Sequence, residues 1–280
     1  MDTKLAVLIL FFEKTAQTIQ CIKSFAHPRV KIYVLNNGSS LSNWQTLKRK
    51  TSGIENIVYL HSEINLGPAK GRNYLIGQTS EEWLFLVDND ITIHPRTKWY
   101  DLLLEYIDKN PTERIICPKL FNVYEGQYCN HPSISIENDK VKFVENTLPQ
   151  STNYFPSGAT VLHRSVLEEL GDFDDQIFAF EDYEFAIRAL KAKINLKVAH
   201  MSGLELVHDH KYLRRKTDQQ AVLERYNNDR LRDSFKRIED KHQIMFSHEW
   251  EGWSNRQVFE MTQMNLIKRQ IRKFQRLIYK

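Results

Sequence analysis

The sequence predicts an α/β protein built on a doubly wound, mostly parallel β-sheet with helices on both faces. In the first 90 residues, short apolar runs alternate with segments whose apolar residues recur at helical spacing. The runs "KLAVLILFF" and "WLFLV" are continuously apolar, as expected of strands that are buried on both faces. Alternation of strand and helix indicates parallel βαβ units, and therefore a sheet of this class.

The elements can be followed in chain order. "KLAVLILFF" is predicted as a strand, "TAQTIQCIKSF" as a helix, and "VKIYVLNNGSS" and "NIVYLHS" as strands. "NLGPAKGRNYLIGQ" is predicted as a helix with an Asn-Leu-Gly-Pro entry, and the strand "WLFLV" follows it. Ligands of such sheets bind beyond the carboxyl ends of the strands. The polar turns at residues 36–40 and 88–90 fall at that edge, so chemistry is expected there.

The second half of the chain is less regular. "CPKLFNV", "SISIEN" and "VKFVEN" are predicted strands of a smaller, partly antiparallel region, and no chemistry is assigned to residues 110–160. "SVLEEL" is predicted as a short helix with Ser165 as N-cap, Glu168 completing a capping box, and Gly171 at its end. "EDYEFAIRALKAK" is predicted as a second helix.

Composition excludes several classes of protein. The chain has 280 residues, of which 41% are hydrophobic, enough for a sizeable core. The sequence contains no run of about 18 apolar residues, the length that a membrane-spanning helix needs. The apolar run near the N-terminus lacks the cleavage site of a signal peptide, so it is expected to be a strand. The three cysteines have no CxxC spacing, which argues against a disulfide framework and a structural zinc site. A reducing cytosol is the expected compartment.

Two aspartates stand one residue apart directly after a buried strand, in "WLFLVDND". Side chains alternate along an extended chain, so Asp88 and Asp90 point the same way and can converge on one hard cation and a metal-bound phosphate. Mg²⁺ or Mn²⁺ is the cation expected beside an activated phosphate leaving group. A plain turn remains the alternative, because Asp-Asn-Asp is good turn chemistry. Neither GxGxxG after the first strand nor GxxxxGK[ST] is present, so dinucleotide and P-loop sites are not supported.

The segment "FAFEDYEFAIR" adds a second group of acids. The apolar spacing predicts a helix with one buried face, while Glu181, Glu184 and Arg188 are expected on the opposite, polar face. Asp182 lies beside the buried face in the first turn, where the helix dipole favours its ionised form. An ionised carboxylate in a cleft can act as a general base. The alternative is ordinary helix-start chemistry, with Glu184 and Arg188 forming an i, i+4 pair.

Two further residues are candidates for the same site. His208 follows the apolar "LELV" near a predicted strand end, and a neutral imidazole there can complete a metal shell or bind a phosphate oxygen. Arg72 has a planar fork that can bind two oxygens of a phosphate or sugar. The alternatives are a merely polar loop around His208, with Asp209 and His210, and a solvated helix cation at Arg72.

Together these segments resemble a GT-A-fold glycosyltransferase of family 2, which transfers sugars from nucleotide-activated donors. "YVLNNGSS", "NLGPAKGRN", "FLVDND", "SGATVLHRSVLEELGDFDDQIFAFEDYEFAIR" and a final "VH" occur in the family's order, over about residues 4–210. The resemblance implies a catalytic domain at residues 1–210 and a helical, basic extension at residues 211–280.

The resemblance also implies roles for individual residues. Asp88 and Asp90 would form the metal and diphosphate motif, with His208 as a further metal or diphosphate contact. Asp182 would be the general base, with Glu181 beside it. A base-assisted attack opposite the leaving group implies inversion at the anomeric carbon. The positions that would contact the donor are Asn36, Asn65, Arg72, Asp88 and Asn89.

One position departs from the family pattern. Relatives usually carry Asp at the position of Asn36, where the first acid reads the nucleobase. Asn presents a donor as well as an acceptor, so it can still bind a pyrimidine. UDP is favoured as the nucleotide by its prevalence alone, and the acceptor is expected to be a glycan or a lipid-linked molecule in surface glycan or glycoconjugate synthesis.

The C-terminal segment is basic. Residues 201–280 carry 17 Lys and Arg against 11 Asp and Glu, whereas residues 1–200 carry 22 against 24. In "NLIKRQIRKFQRLIYK", Ile267, Ile271, Phe274 and Ile278 share one helical face and six basic residues take the other. This pattern at residues 265–280 is typical of a helix in a membrane interface, which would place the protein at the inner face of the membrane. A helix packed on the protein's own body is the alternative.

Two other functions fit parts of the sequence. A nucleotidyltransferase also uses acidic metal ligands on an α/β sheet, but it would leave "EDYEFAIR" without a role. A non-catalytic module that binds an anionic partner through the basic tail is the other possibility. Nucleic acid is not expected as the partner, because the tail lacks a known motif and its aromatic residues form no stacking series.

Overall fold

The computed structural model describes most of the chain. The described residues are 4–94, 97–123, 125–130, 132–144, 151–209 and 216–246, with isolated positions at 254, 255, 258, 259, 262, 267, 270, 271 and 274. The strands are β1 Leu5–Phe11, β2 Lys31–Asn37, β3 Ile57–Ser62, β4 Trp83–Asp88, β5 Ile91–Ile93, β6 Ile115–Asn122, β7 Gln127–Tyr128, β8 Ser133–Glu137, β9 Lys140–Val144, β10 Ser151–Thr152, β11 Ala159–His163 and β12 Val198–His208. The helices are α1 Thr15–Phe25, α2 Leu41–Thr51, α3 Gly67–Gly77, α4 Trp99–Lys109, α5 Ser165–Leu170, α6 Glu181–Lys191, α7 Lys216–Arg225 and α8 Asn228–His242.

The main sheet has the order β10-β12-β6-β11-β4-β1-β2-β3, with β5 paired to β12 and β7 to β6. β3, β2, β1 and β4 form a continuous parallel run, and β12 pairs parallel to β6. β11 is antiparallel to both of its neighbours, β4 and β6. The prediction of a mostly parallel sheet is confirmed, and the carboxyl ends of β1, β2 and β4 meet at one edge.

Apolar side chains cover both faces of this sheet. In β1, Ala6 and Leu8 face one apolar layer, while Val7 and Ile9 face the other. The first layer is closed by α3, α5, α6 and α8, and the second by α1, α2 and α4. Because a strand exposes successive side chains to opposite faces, only an uninterrupted apolar run can serve two layers. The continuous apolar composition of "KLAVLILFF" therefore has a direct structural cause.

The smaller antiparallel region predicted after residue 110 is present in part: "SISIEN" and "VKFVEN" form it, whereas "CPKLFNV" lies in β6 of the main sheet. β8 and β9 form a separate two-stranded antiparallel sheet, with Ile134 opposite Phe143. The Tyr183 ring of α6 packs against that of Phe143 in a tilted arrangement, with a distance of 5.1 Å between ring centroids. This small sheet therefore lies next to the helix that carries the predicted catalytic acids.

Two local predictions are wrong. Ser165 is the first residue of α5 and not its N-cap, since Arg164 takes the cap position and the Ser165 hydroxyl bonds to Nδ1 of His163 at 2.7 Å. Gly171 ends the helix as predicted, with φ of 82°. Glu184, expected on the polar face of α6, has no exposed surface at all. The cause is a neighbour that the local pattern does not contain, since α8 covers that face.

The contact between α6 and α8 is ionic and aromatic. Glu184 accepts hydrogen bonds from Lys241 Nζ at 2.8 Å and is 3.0 Å from Nε2 of His242, and it also pairs with Arg188 at 3.0 Å as predicted. The Phe235 ring of α8 lies 4.2 Å from that of Phe180. These contacts cross the predicted domain boundary at residue 210, so α8 is part of the packed body.

Among the described helices, none combines the length and apolar character needed to cross a membrane. Within the C-terminal segment, Ile267, Ile271 and Phe274 are helical and 73%, 55% and 65% exposed. Ile278 and the six basic residues of the predicted interfacial helix lie outside the described residues, as does His210. All three cysteines are free thiols.

Candidate active site

A cavity of about 470 Å³ opens at the carboxyl edge of the sheet, where the sequence predicted the chemistry. Its walls include Arg72, Asp88, Glu181, Asp182 and His208. These residues come from α3, β4, α6 and β12, up to 136 positions apart in the chain. The structure thus brings together these five predicted site residues, whereas Asp90 and Asn36 are not among the cavity walls.

Asp88 ends β4 and lies between two arginines. Arg72 Nη2 donates to its Oδ1 at 2.8 Å, and Nη2 of Arg225 lies 3.7 Å from its Oδ2. Burial opposes ionisation, but the charges of Arg225 and Arg72 outweigh it and hold the pKa of Asp88 below its ordinary value. Asp88 is therefore an anion that is already paired with cations.

Gly158 leaves the space that the Asp88 side chain needs. A Cβ at this glycine would lie 2.3 Å from Cγ of Asp88, closer than real Cβ contacts allow. The Asp88 amide also donates to the Gly158 carbonyl at 2.7 Å. The glycine of "PSGA" thus fixes both the backbone and the side chain of the first aspartate.

Arg72 connects the two groups of acids. It is 5% exposed, and its second nitrogen, Nη1, forms a short ion pair with Glu181. Ser157 Oγ donates to the same Glu181 oxygen at 2.7 Å. A solvated helix cation, the alternative left open by the sequence, does not describe this buried arginine. Its planar fork spans two carboxylates, as a lysine could not.

Asp182 follows Glu181 at the start of α6. Tyr154 donates its hydroxyl to Oδ2 of Asp182 at 3.1 Å, and the Ser157 amide points to the same oxygen at 3.4 Å. Burial and the neighbouring Glu181 carboxylate raise the pKa of Asp182 to about 7. The expectation that the helix dipole favours ionisation of Asp182 is therefore wrong in its net result, because desolvation and like charge are stronger here.

Asp90 and His208 meet through strand pairing. β5 runs antiparallel to β12, with Ile91 opposite His208, and the imidazole Nε2 lies 3.3 Å from Oδ1 of Asp90. Lys14 Nζ lies 2.9 Å from Oδ2 of the same aspartate. The sequence analysis did not single out Lys14, which precedes α1 and also lines the cavity.

The donor atoms at this edge suit a divalent cation. Among the described residues, no three His, Cys, Asp or Glu side chains form a ready-made metal cluster. Mg²⁺ beside a substrate phosphate needs only one or two protein carboxylates, with phosphate and water oxygens completing the shell. The carboxylates of Asp88 and Asp90 and the imidazole of His208 therefore fit the cation by their chemistry.

The asparagines divide into two groups. Asn36 is fully buried, accepts from the Ser39 amide at 3.0 Å and lies 2.9 Å from Nδ1 of His61, so the structure does not bring it to the cavity wall. Its neighbour Asn37 does line the cavity, as do Asn65 and Asn89. The predicted donor-binding position at Asn36 thus falls one residue from the side chain that faces the cavity.

Asn37 organises the turn before α3. Its amide donates to Oδ1 of Asn65 at 3.1 Å, and its oxygen accepts from the Leu66 amide at 2.9 Å. An aspartate at position 37 could not donate to Asn65. The amide of Asn37 therefore has a local role in the turn that leads to Arg72.

Besides Asn37, four residues of the site were not predicted from the sequence: Lys14, Tyr154, Ser157 and Arg225. Tyr154 and Ser157 lie in the region to which no chemistry was assigned, yet both line the cavity and bond to Asp182. Arg225 was treated as part of the basic extension, yet α7 forms one wall of the cavity. The "PSGA" segment, with a glycine next to a serine before an apolar strand, was the available signal for Ser157.

A mostly parallel α/β sheet with acidic residues at the carboxyl edge of its strands is the architecture of the GT-A-fold glycosyltransferases. The family model named Glycosyl transferase family 2 matches residues 7–171, and the chain belongs to this family.

The known proteins that resemble this chain in sequence or structure share less than 30% of their residues with it. The pre-mycofactocin glycosyltransferase of Mycobacterium tuberculosis is 27% identical over 158 residues, covering 55% of this chain and 33% of the relative. TarS 1–349 of S. aureus in complex with UDP-GlcNAc superposes with a TM-score of 0.57 at 15% identity, over 99% of this chain and 80% of TarS. The mannosyltransferase PcManGT of Pyrobaculum calidifontis with GDP-Man and Mn²⁺ superposes with a TM-score of 0.53 at 11% identity, over 98% of this chain and 80% of PcManGT. The chain thus spans about a third of its curated relative.

Proposed function

We propose that this protein transfers a sugar from a nucleoside-diphosphate donor to an acceptor hydroxyl, with inversion at the anomeric carbon. The observation that carries the proposal is the arrangement of Asp182 beside the bridge from Glu181 through Arg72 to Asp88. A base and an anion-binding group thereby face one cavity. A nucleotidyltransferase would need the aspartates at the strand edge but would have no use for Asp182.

Asp182 is the proposed general base. Its carboxylate takes the proton of the acceptor hydroxyl while the acceptor oxygen bonds to the anomeric carbon and the bond from that carbon to the diphosphate oxygen breaks. A base with a pKa near the working pH combines a useful ionised fraction with real proton affinity, and the pKa of about 7 meets this condition. Tyr154 and Ser157 orient the carboxylate.

Arg72 and Arg225 are the proposed contacts of the donor's diphosphate. Both line the cavity and both already bind the anion Asp88. Guanidinium groups bind phosphate oxygens in the same fork geometry that they use with carboxylates. Asp88, Asp90 and His208 would hold Mg²⁺ or Mn²⁺, and a bound cation supplies charge neutralisation for the departing diphosphate.

Donor and acceptor are proposed only at the level of class. The solved relatives bind UDP-GlcNAc in one case and GDP-Man in another, so the likeness of fold does not select the base. UDP remains the favoured nucleotide, and a glycan or lipid-linked molecule the favoured acceptor. We assign Asn37, Asn65 and Asn89 to the nucleotide side of the cavity, since these asparagines line it.

Membrane contact is part of the same proposal. The exposed side chains of Ile267, Ile271 and Phe274 support an interfacial helix over residues 265–280 at the cytoplasmic face. Deletion of these residues should reduce co-sedimentation with anionic vesicles, while neutral vesicles show little binding of either form. Equal binding of the full and shortened chains to anionic vesicles would contradict this part.

The test of the reaction is nucleotide release from a panel of sugar nucleotides with Mn²⁺ or Mg²⁺. Asp182→Asn and Asp90→Asn should each lower the rate by at least 100-fold, on the order of effects known for positioned bases. Asp229→Asn is the matched control, because that aspartate is 85% exposed and is not among the cavity walls. If no donor is turned over, or if all three variants match the wild type, the proposal fails.

A further inference from the structure

Lys14 forms an ion pair with Asp90, the second of the two aspartates that are expected to bind the metal. Its Nζ lies 2.9 Å from Oδ2 of Asp90, and the two side chains are only 11% and 3% exposed. In this partly dehydrated setting an ammonium group and a divalent cation compete for the same carboxylate oxygen. A lysine is also a compact point charge, which can exchange one anionic partner for another without a demanding geometry.

The position of Lys14 is fixed by its surroundings. Glu13 and Lys14 both adopt left-handed backbone conformations, with φ of 52° and 50°, which L-residues with side chains rarely do. The Lys14 amide donates to Oδ1 of Asp218 in α7 at 2.8 Å, and the Glu13 amide donates to Ser39 Oγ at 2.9 Å. The turn before α1 is thus held from two sides, and it aims the lysine into the cavity.

We propose that Lys14 occupies Asp90 in the donor-free protein and moves its ammonium group to the donor's diphosphate on binding, so that the divalent cation and the nucleotide bind as a coupled pair. This inference rests on the proposed function, because it presupposes a nucleoside-diphosphate donor and a cation at Asp90. The donor supplies the anion that draws Lys14 away, and the vacated carboxylate oxygen becomes available to the cation.

Coupling of this kind is reciprocal. If the nucleotide raises the affinity for the cation by some factor, the cation raises the affinity for the nucleotide by the same factor. With Lys14 removed, the cation no longer has to displace an ammonium group from Oδ2 of Asp90, so it should bind with less help from the nucleotide. The nucleotide, however, should lose one cationic contact.

The decisive measurement is Mn²⁺ binding to the donor-free protein, followed by the electron paramagnetic resonance signal of free Mn²⁺. Lys14→Gln should bind Mn²⁺ at least tenfold more tightly than the wild type. Addition of UDP should increase the Mn²⁺ affinity of this variant by a smaller factor than it increases that of the wild type. Lys14→Arg keeps the charge and should bind Mn²⁺ as weakly as the wild type. Lys70→Met is a control, because Lys70 is an exposed residue of α3 outside the cavity walls.

Calorimetric titration with UDP in the absence of metal gives the second arm. UDP should bind Lys14→Gln about tenfold more weakly than the wild type, and Lys14→Arg should retain binding. The melting temperature of each variant shows whether it is folded. If Lys14→Gln does not fold, the contrast between Lys14→Arg and Lys14→Met serves the same purpose.

The outcomes separate this inference from the proposed function. If sugar transfer and Mn²⁺ binding are present but Lys14→Gln binds Mn²⁺ no more tightly than the wild type, competition by Lys14 is refuted and the proposed function stands. If no form binds Mn²⁺ with or without UDP while transfer continues, the cation's role and the competition are both refuted. If no sugar nucleotide binds or reacts, the proposed function fails together with the inference.

Discussion

The pH dependence of transfer offers the sharpest test of Asp182 as the base. With a pKa of about 7, roughly a tenth of the protein has an ionised Asp182 at pH 6 and roughly nine tenths at pH 8. Because the base must be ionised to accept a proton, kcat/KM should rise about tenfold between these values and then level off. The measurement is initial rate of nucleotide release at low donor concentration across the pH range, with donor stability checked separately.

Two neighbours should move the midpoint of this profile in opposite directions. Tyr154 donates a hydrogen bond that stabilises the ionised form, so Tyr154→Phe should raise the pKa of Asp182 and shift the profile to higher pH. Glu181 contributes a like charge, so Glu181→Gln should shift the midpoint to lower pH, whatever it does to the maximal rate. Asp182→Asn should leave only a slow rate without this rise.

Ionisation of Asp182 should lower the free energy of unfolding. The folded state raises the pKa of Asp182 above its value in the unfolded chain, so the folded protein binds this proton more tightly. The favourable contribution is complete below pH about 4 and is lost as the pH rises through about 7. Asp182→Asn should therefore raise the melting temperature more at pH 8 than at pH 5. A flat kcat/KM profile, or midpoints that do not move in opposite directions, would refute the assignment of the base.

Three further substitutions test the rest of the site and its support. Gly158→Ala should displace the Asp88 carboxyl and weaken donor binding at least tenfold in calorimetry, whereas Gly53→Ala, whose added Cβ meets no atom within 4 Å, should change nothing. Arg72→Lys should raise the donor KM at least tenfold and also lower the melting temperature, because one ammonium cannot bridge two largely buried carboxylates; an unchanged KM and melting temperature would contradict the bridge. Glu184→Gln should lower the free energy of unfolding by about 2 kcal/mol in urea titrations, since it weakens buried hydrogen bonds to charged groups; a loss below 0.5 kcal/mol, roughly the level of surface changes, would contradict that role.

Much of the fold was open to prediction from the sequence because its signals are local. Continuous apolar runs identify strands that serve two layers, and Gly-Pro at Pro68 identifies the start of α3. Asp88 and Asp90 could be placed at the binding edge because each follows a strand directly. The order of the strands in the sheet then brings distant turns together without further information.

What the sequence did not reveal depends on partners far away in the chain. Glu184 has helical spacing typical of an exposed position, and only the packing of α8, 57 residues later, explains its burial. The pKa of Asp182 follows from desolvation and from Glu181, whereas the local pattern contained only the helix dipole. Lys14 was invisible because a left-handed lysine before a helix has no sequence signature.

Helix α7 forms one wall of the cavity and contacts several turns at the edge of the sheet. Asp218 binds the Lys14 amide, Glu224 accepts from Asn65 at 3.4 Å, and Arg225 lies beside Asp88. One helix thus touches the turns that follow β1, β3 and β4, which are the turns expected to hold the nucleotide. The hydrogen bond of Asp218 is buried, but the contacts of Glu224 and Arg225 are partly exposed and can open at lower cost than the packed sheet beneath them. Entry of the donor is therefore expected to depend on α7, and substitutions in this helix should alter donor affinity more than they alter stability.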